Sequence, residues 1–290
     1  MKWFDYARPS ALSEAVKLLS DGGQSARVLA GGTDLLVQMR AGRREADLVV
    51  DVKRVPETME LRFDPHSGLT LGAAVACFQI YRNGTIQKLY PGLAEVASMI
   101  GGTQIQGRAS IGGNLCNSAP SADSVPLLIA LKVRCRIAGD GEERDVAVEE
   151  FCTAPGKNIL RPGELLVSLH FPPPVRGMGA YYLRFTPRNE MDIAVAGAGA
   201  SVELEHGMFR SARIALSSVA PTPLFVRGAG EMLAGKPVSE ESIQSAAEIA
   251  REAARPITDM RGTAEHRRHL CGVLTRRALQ LAIQRAREAS

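Results

Sequence analysis

The apolar positions of the chain change their spacing several times, and each change predicts an element. Leu12, Ala15, Val16 and Leu19 fall at helical spacing behind Ser10, a residue suited to cap that helix, and Asp21-Gly22-Gly23 ends it. A short apolar strand over 27–30, a glycine turn, a helix over 35–40 and a strand over 47–52 then complete a small α/β unit that closes near residue 55. Farther along, 69–74 reads as a strand, and 78–83 and 85–89 as short helical pieces. Pro91 starts a helix with Leu93, Val96, Ala97 and Ile100 on one side. Gly101-Gly102 ends that helix and opens a long loop. A helix over 121–131 and strands over 133–138 and 165–171 follow. Pro172, Pro173 and Pro174 cannot continue a strand ladder, so a boundary is expected there. Beyond it, 194–204 and 210–219 alternate as antiparallel strands, 239–255 is an amphipathic helix, and Leu270, Leu274, Ala278 and Leu281 mark a long final helix. The expected division is 1–55, 56–174 and 175–290.

Two stretches break this pattern. One is 104–114, reading Gln-Ile-Gln-Gly-Arg-Ala-Ser-Ile-Gly-Gly-Asn; the other is Ala30-Gly31-Gly32-Thr33-Asp34. Both are glycine pairs flanked by hydroxyl and amide side chains. Successive backbone N–H groups in such turns form a concave anion site, and glycine lets the main chain come close to a ligand. Two such turns about 80 residues apart suit a ligand with two phosphates held from two sides. The alternative is a pair of ordinary turns in a glycine-rich chain. The first turn lies between a strand and a helix start, a good place for phosphate, yet it is not Gly-x-Gly-x-x-Gly, which disfavours a Rossmann fold.

These motifs carry a resemblance. Ala-Gly-Gly-Thr-Asp at 30–34 and Ser-Ile-Gly-Gly-Asn at 110–114 resemble the paired FAD signatures of the FAD-binding (medium) subunit of molybdenum hydroxylases, the xanthine dehydrogenase and carbon monoxide dehydrogenase group. Ser118-Ala-Pro-Ser-Ala-Asp123, Gly163-Glu-Leu-Leu166, 184–194 and 258–277 agree in order, so the resemblance covers nearly the whole chain. It implies an α+β fold: two subdomains holding FAD between them, of the vanillyl-alcohol-oxidase-like kind, then a C-terminal α+β domain with a small antiparallel sheet.

Composition excludes other classes. The chain has 290 residues, 45% hydrophobic and 23% charged, with a formal charge of +4 that gives no argument for nucleic acid. No apolar run reaches the ~20 residues of a membrane span, and the N-terminus lacks a signal-peptide core; the expected location is cytoplasmic. The five cysteines, Cys77, Cys116, Cys135, Cys152 and Cys271, are scattered, with no Cys-x-x-Cys, so neither a disulfide framework nor a cluster site is encoded locally. Cys116, just past the second glycine pair, reads as a redox thiol or as a small buried residue.

The resemblance assigns roles residue by residue. Gly31, Gly32, Gly112 and Gly113 would approach the FAD pyrophosphate with main-chain N–H groups; Thr33 and Ser110 offer hydroxyls and Asn114 an amide. Ala30 and Ile111 complete the two signatures. Relatives usually carry threonine at Ser110. They often have Arg-Asn where this chain has Gln106-Gly107, and Arg108 is the substitute cation. Asp34 is expected to cap the helix that follows it. Asp123 would accept from ribityl or ribose hydroxyls, or else cap a helix before Val125. Leu29, Leu35, Ile100 and Leu166 match apolar positions lining the adenine or flavin rings, and each has a core reading too. Arg184 matches a basic position near the flavin, with a surface salt bridge as its alternative. Tyr181 and Tyr182 are adjacent candidates to cover the ring. Arg261, Arg267, Arg268, Arg276 and Arg277, with His266 and His269, read as a solvated or subunit-facing surface.

The leading function is therefore a FAD-dependent electron-transfer subunit. The implied partners are a large molybdopterin subunit and a small subunit with two [2Fe-2S] clusters, in a heterotrimer that can dimerise. Electrons would pass from the clusters to FAD and on to an external acceptor. Two other readings stand: a self-sufficient FAD-dependent oxidoreductase acting on a small substrate, and a nucleotide-binding or assembly protein without redox chemistry. The chain lacks the cysteine-bearing insertion of the benzoyl-CoA-reducing relatives.

Overall fold

The computed structural model describes residues 1–289 and consists of three main sheets with helices packed on them. The first sheet takes β1 (Asp5–Ala7), β2 (Ala26–Leu29) and β3 (Leu48–Asp51) in the order β1-β3-β2, all parallel. The central strand reads Leu-Val-Val-Asp, and Val49 and Val50 are fully buried, as a strand covered on both faces requires. The connecting helix α1 (Leu12–Gly22) buries Ala15, Val16 and Leu19. Its cap position is Ala11, not Ser10; Ser10 contributes its backbone N–H to Glu14 Oε2 at 3.0 Å instead. The segment before Pro9 supplies β1, whose three residues carry no apolar alternation. Helix α2 (Leu35–Arg40) follows the first glycine turn as expected.

The second sheet runs β4-β5-β10-β6-β7 and is antiparallel throughout. Its strands are β4 (Leu61–Asp64), β5 (Gly68–Gly72), β6 (Arg134–Gly139), β7 (Glu142–Ala147) and β10 (Leu165–Phe171). Strand β10 is central and buried along almost its whole length, which is why its apolar run was legible; Pro172 ends it. The edge strands β4 and β7 were not legible, because charged residues interrupt both. A two-stranded ribbon, β8 (Cys152–Ala154) and β9 (Lys157–Asn158), lies beside the sheet in sequence. Helices α3 (Cys77–Arg82), α4 (Gly84–Leu89), α5 (Pro91–Met99), α6 (Thr103–Gln106), α7 (Ile111–Asn117) and α8 (Ser124–Ala130) are inserted between β5 and β6. The expected long loop after Gly102 thus contains α6, and the second glycine pair is the first turn of α7 rather than a free turn.

The third sheet is β11 (Met178–Phe185), β12 (Ala196–Glu205), β13 (Met208–Ser217) and β14 (Leu224–Phe225), antiparallel in that order. Helices α9 (Arg227–Leu233), α10 (Glu240–Ala253) and α11 (Ala264–Glu288) follow it. Ser239 and Thr263 cap the last two by accepting from the backbone N–H of Ser242 and His266. Arg267 on α11 is not part of a solvated basic surface. It is buried and donates to the carbonyls of Val195 and Ser218 and to Asp259 at 2.9, 3.1 and 2.6 Å.

Helix α8 joins the second and third sheets. All seven of its residues are buried, matching an apolar sequence that offers no solvent face. Ser201 Oγ donates to the Ala130 carbonyl at 2.6 Å, and Arg213 reaches both the Ile129 carbonyl and Glu149. A Cβ on Gly199 would come within 2.7 Å of the Pro126 backbone, so β12 meets α8 main chain to main chain. These contacts hold α8 against the third sheet.

Candidate functional site

The two glycine motifs, remote in sequence, touch each other. A Cβ on Gly31 would lie 2.1 Å from the Arg108 carbonyl oxygen, so only glycine permits this approach. Arg108 Nε also donates to the Gly31 carbonyl at 3.0 Å. Gly32 has φ +78, a conformation that costs glycine nothing. Around this junction opens a cleft of about 620 Å³, within the roughly 300–1,000 Å³ usual for cofactor pockets.

Fourteen of the sixteen expected site residues line that cleft. The first turn contributes Ala30, Gly31, Gly32, Thr33, Asp34 and Leu35. The second contributes Ser110, Gly112, Gly113 and Asn114. Ile100, Asp123, Leu166 and Arg184 complete the set. Leu29 and Ile111 are not on the wall. Leu29 packs with Met39, Ala46 and Val49, and Ile111 with the core beneath α7; their place in the motifs follows from strand and helix packing.

Several side chains differ in detail from expectation. Ser110 caps α7, its Oγ accepting from the Gly113 N–H at 3.0 Å. That N–H is therefore spent within the protein, while the Ser110 hydroxyl proton stays available to donate. Asn114 turns its carbonyl oxygen to Ser124 Oγ at 2.6 Å, leaving its NH₂ end to donate. Asp34 occupies the cap position of α2 but makes no side-chain cap bond. Asp123 likewise precedes α8 without capping it. Instead Asp123 accepts from Arg184 at 2.5 Å and from the Tyr182 hydroxyl at 2.8 Å, with Ser217 Oγ 3.2 Å behind the tyrosine. Burial pushes the Asp123 carboxyl above its ordinary value, and Arg184 and Tyr182 oppose that shift. Tyr182 is itself held well above the ordinary phenol range by burial. The tyrosines do not cover the cleft: Tyr182 is 2% exposed beneath it, and Tyr181 lies under the Arg285 guanidinium. Arg108, the substitute cation, is off the wall and bonds main chain. Cys116 is on the wall, but desolvation pushes its thiol up to about 12, so it is no thiolate at neutral pH.

Sequence reasoning missed Arg27 and Arg44. Both line the cleft, each close enough that Arg44 helps burial lower the Arg27 pKa. The Arg27 Nε–H is buried with no partner. The available signal was an arginine within the strand that leads into the first glycine turn. Gln38 and Asn117, bonded at 3.1 Å, join α2 to α7 on the same wall.

Comparison with known proteins settles the family. Residues 2–174 match the FAD binding domain in molybdopterin dehydrogenase, and 181–282 match the CO dehydrogenase flavoprotein C-terminal domain. The chain belongs to the FAD-binding subunits of the molybdenum hydroxylases. It is 32% identical to the xanthine dehydrogenase FAD-binding subunit of Escherichia coli O157:H7 over 98% of each chain. The carbon monoxide dehydrogenase medium chain of Hydrogenophaga pseudoflava is 31% identical over 96% of each. In solved structures, carbon monoxide dehydrogenase from Hydrogenophaga pseudoflava superposes with a TM-score of 0.94 at 30% identity over 98% of both chains. Quinoline 2-oxidoreductase from Pseudomonas putida 86 gives 0.90 at 28% identity over 99% of both. The α+β fold and the FAD cofactor inferred from the motifs are thereby borne out.

The cleft of this FAD-binding subunit fits its cofactor. The first glycine turn, the glycine-bearing first turn of α7, two adjacent guanidiniums and an orphaned Nε–H suit a dianionic pyrophosphate. Leu35, Ile100, Ile105, Leu165 and Leu166 give the apolar area that ring systems require.

Proposed function

We propose that this subunit holds FAD across the cleft as a relay, receiving electrons from the [2Fe-2S] clusters of a small partner subunit and delivering them to an external acceptor. A large molybdopterin subunit oxidises the substrate. When bound, FAD supplies the one- and two-electron redox chemistry that such a junction needs. The residues of this chain bind and orient. Gly31 and Gly32 offer main-chain N–H groups, Arg27 and Arg44 balance phosphate charge, and Asp123 and Arg184 present a paired acceptor and cation elsewhere on the cleft wall.

The relay is supported over a self-sufficient oxidoreductase by whole-length relatives that are subunits of dehydrogenases, and the state of Asp123 agrees with it. Asp123 is the buried carboxylate of the cleft, and both its oxygens are already engaged by Arg184 and Tyr182. A substrate base needs a carboxylate free to take a proton; this one is built to hold position. The three-part division at 55 and 174 is supported by one main sheet in each part. A cytoplasmic location is supported by five free cysteines. The test is to purify the chain from its native host through an affinity tag. One noncovalent FAD per chain, with molybdenum and iron co-purifying, supports the assignment. A chain that returns alone, holding FAD and turning over a small substrate, would put the self-sufficient enzyme in its place.

A further inference from the structure

We infer that Lys53 and Arg108, neither of which lines the cleft, are positioning residues that aim the first glycine turn at the cofactor phosphates. The inference rests on the FAD assignment. Lys53 Nζ donates to the Ala30 carbonyl at 2.7 Å, and Arg108 Nε to the Gly31 carbonyl at 3.0 Å. Among the described residues every peptide bond is trans. In a trans peptide the C=O and the following N–H point in opposite directions. Drawing the Ala30 oxygen toward Lys53 therefore turns the Gly31 N–H the other way, and drawing the Gly31 oxygen toward Arg108 does the same for the Gly32 N–H. Ala30, Gly31 and Gly32 are on the cleft wall, whereas the two cations are not. Carbonyls drawn to cations off the wall would leave both N–H groups to face the ligand.

Lys53 is itself held in place. Its ammonium pairs with Asp51 Oδ1 at 2.7 Å, and the Tyr6 hydroxyl donates to Asp51 Oδ2 at 2.5 Å. Burial would raise the Asp51 carboxyl, but the bonds from Lys53 and Tyr6 outweigh it and hold the group below its ordinary value. The opening strand β1, carrying Tyr6, is in this way connected through Asp51 and Lys53 to the glycine turn. Without the two cations the Ala30 and Gly31 peptides could rotate, and their carbonyl dipoles would repel a phosphate.

The test compares Lys53→Met, Lys53→Arg and Arg108→Met with wild type. Apo chains are titrated with FAD by flavin fluorescence and with ADP by calorimetry, and the ³¹P spectrum of bound FAD is recorded. Lys53→Met and Arg108→Met should each weaken FAD and ADP by about tenfold or more, with bound phosphorus resonances moving toward their free positions. Lys53→Arg should restore both, since a guanidinium can still reach the carbonyl. If Lys53→Met does not fold, Lys53→Met/Asp51→Asn removes the pair together and answers the same question. Folded variants that hold FAD and ADP as tightly as wild type, or a Lys53→Arg as weak as Lys53→Met, would overturn the inference while leaving the cofactor site intact. A wild-type chain that binds neither ligand would overturn the site and the inference with it.

Discussion

Replacing Gly113 with alanine separates what the cofactor needs from what the fold needs. Gly113 is the third residue of α7, on the cleft wall, and a Cβ there would meet only Ser110 Oγ, at 3.0 Å. Alanine is favoured over glycine inside a helix by about 1 kcal/mol. Against this, the Ser110 hydroxyl must give way by a few tenths of an ångström. The two effects offset, so the unfolding free energy of the apo chain should change by less than about 1 kcal/mol. On the proposed placement of FAD, however, the methyl group occupies space through which a phosphate would reach the main chain of α7. FAD binding should weaken by at least about 1.4 kcal/mol, tenfold in Kd. Fluorescence titration with FAD, beside urea denaturation of both apo chains, reads the two quantities separately. Wild-type affinity in a variant of unchanged apo stability would refute the placement of the phosphate against α7.

Gly31→Ala should behave differently, because its Cβ would sit 2.1 Å from the Arg108 carbonyl oxygen. Apo stability should fall by about 1–3 kcal/mol together with FAD affinity, and urea denaturation showing no change would contradict the loop contact. Tyr182→Phe removes the 2.8 Å donor to Asp123 and should cost about 1.5–3 kcal/mol, as bonds to charged groups do; an unchanged denaturation midpoint would count against it. Asp51 has a lowered pKa in the fold, so its stabilising contribution is present above the ordinary value of 3.8 and lost as pH falls through the folded value. Asp51→Asn should therefore flatten the acid limb of a stability–pH curve; an identical limb would show that Asp51 is not its source. Cys116, its thiol pushed up to about 12, should resist iodoacetamide at pH 8 in the native chain and react after unfolding, as mass spectrometry can show.

What was legible in the sequence is physically sorted. Strands buried on both faces, such as β10, and helices with an apolar stripe or a hydroxyl cap, such as α1 and α10, declare themselves locally. The two glycine motifs were legible because backbone contact restricts Gly31 and Gly112 to glycine and Gly32 takes a positive φ. Short or charged strands were not: β1 has three residues and owes its place to pairing with β3, while β7 carries charge on its outer edge. Strand β11 was hidden because its burial does not alternate cleanly and α11, which packs on it, lies far along the chain. In the site, Arg27, Arg44 and Lys53 escaped notice for the same reason. Each acts through a neighbour that folding alone supplies, so nothing within a short window marks it. Asp123 was found, but its tether to Tyr182 spans 59 residues and needed the third sheet to be seen.

The relay claim is tested most directly by anaerobic stopped-flow absorbance at the oxidised flavin band. The FAD-loaded chain is mixed with the hydroxylase's substrate, first alone and then with the cluster and molybdenum subunits added. The account predicts no loss of flavin absorbance from the isolated chain, although a chemical reductant removes it, and loss at the turnover rate once the partners are present. Loss at that rate in the isolated chain would contradict the relay and make this subunit the site of substrate oxidation.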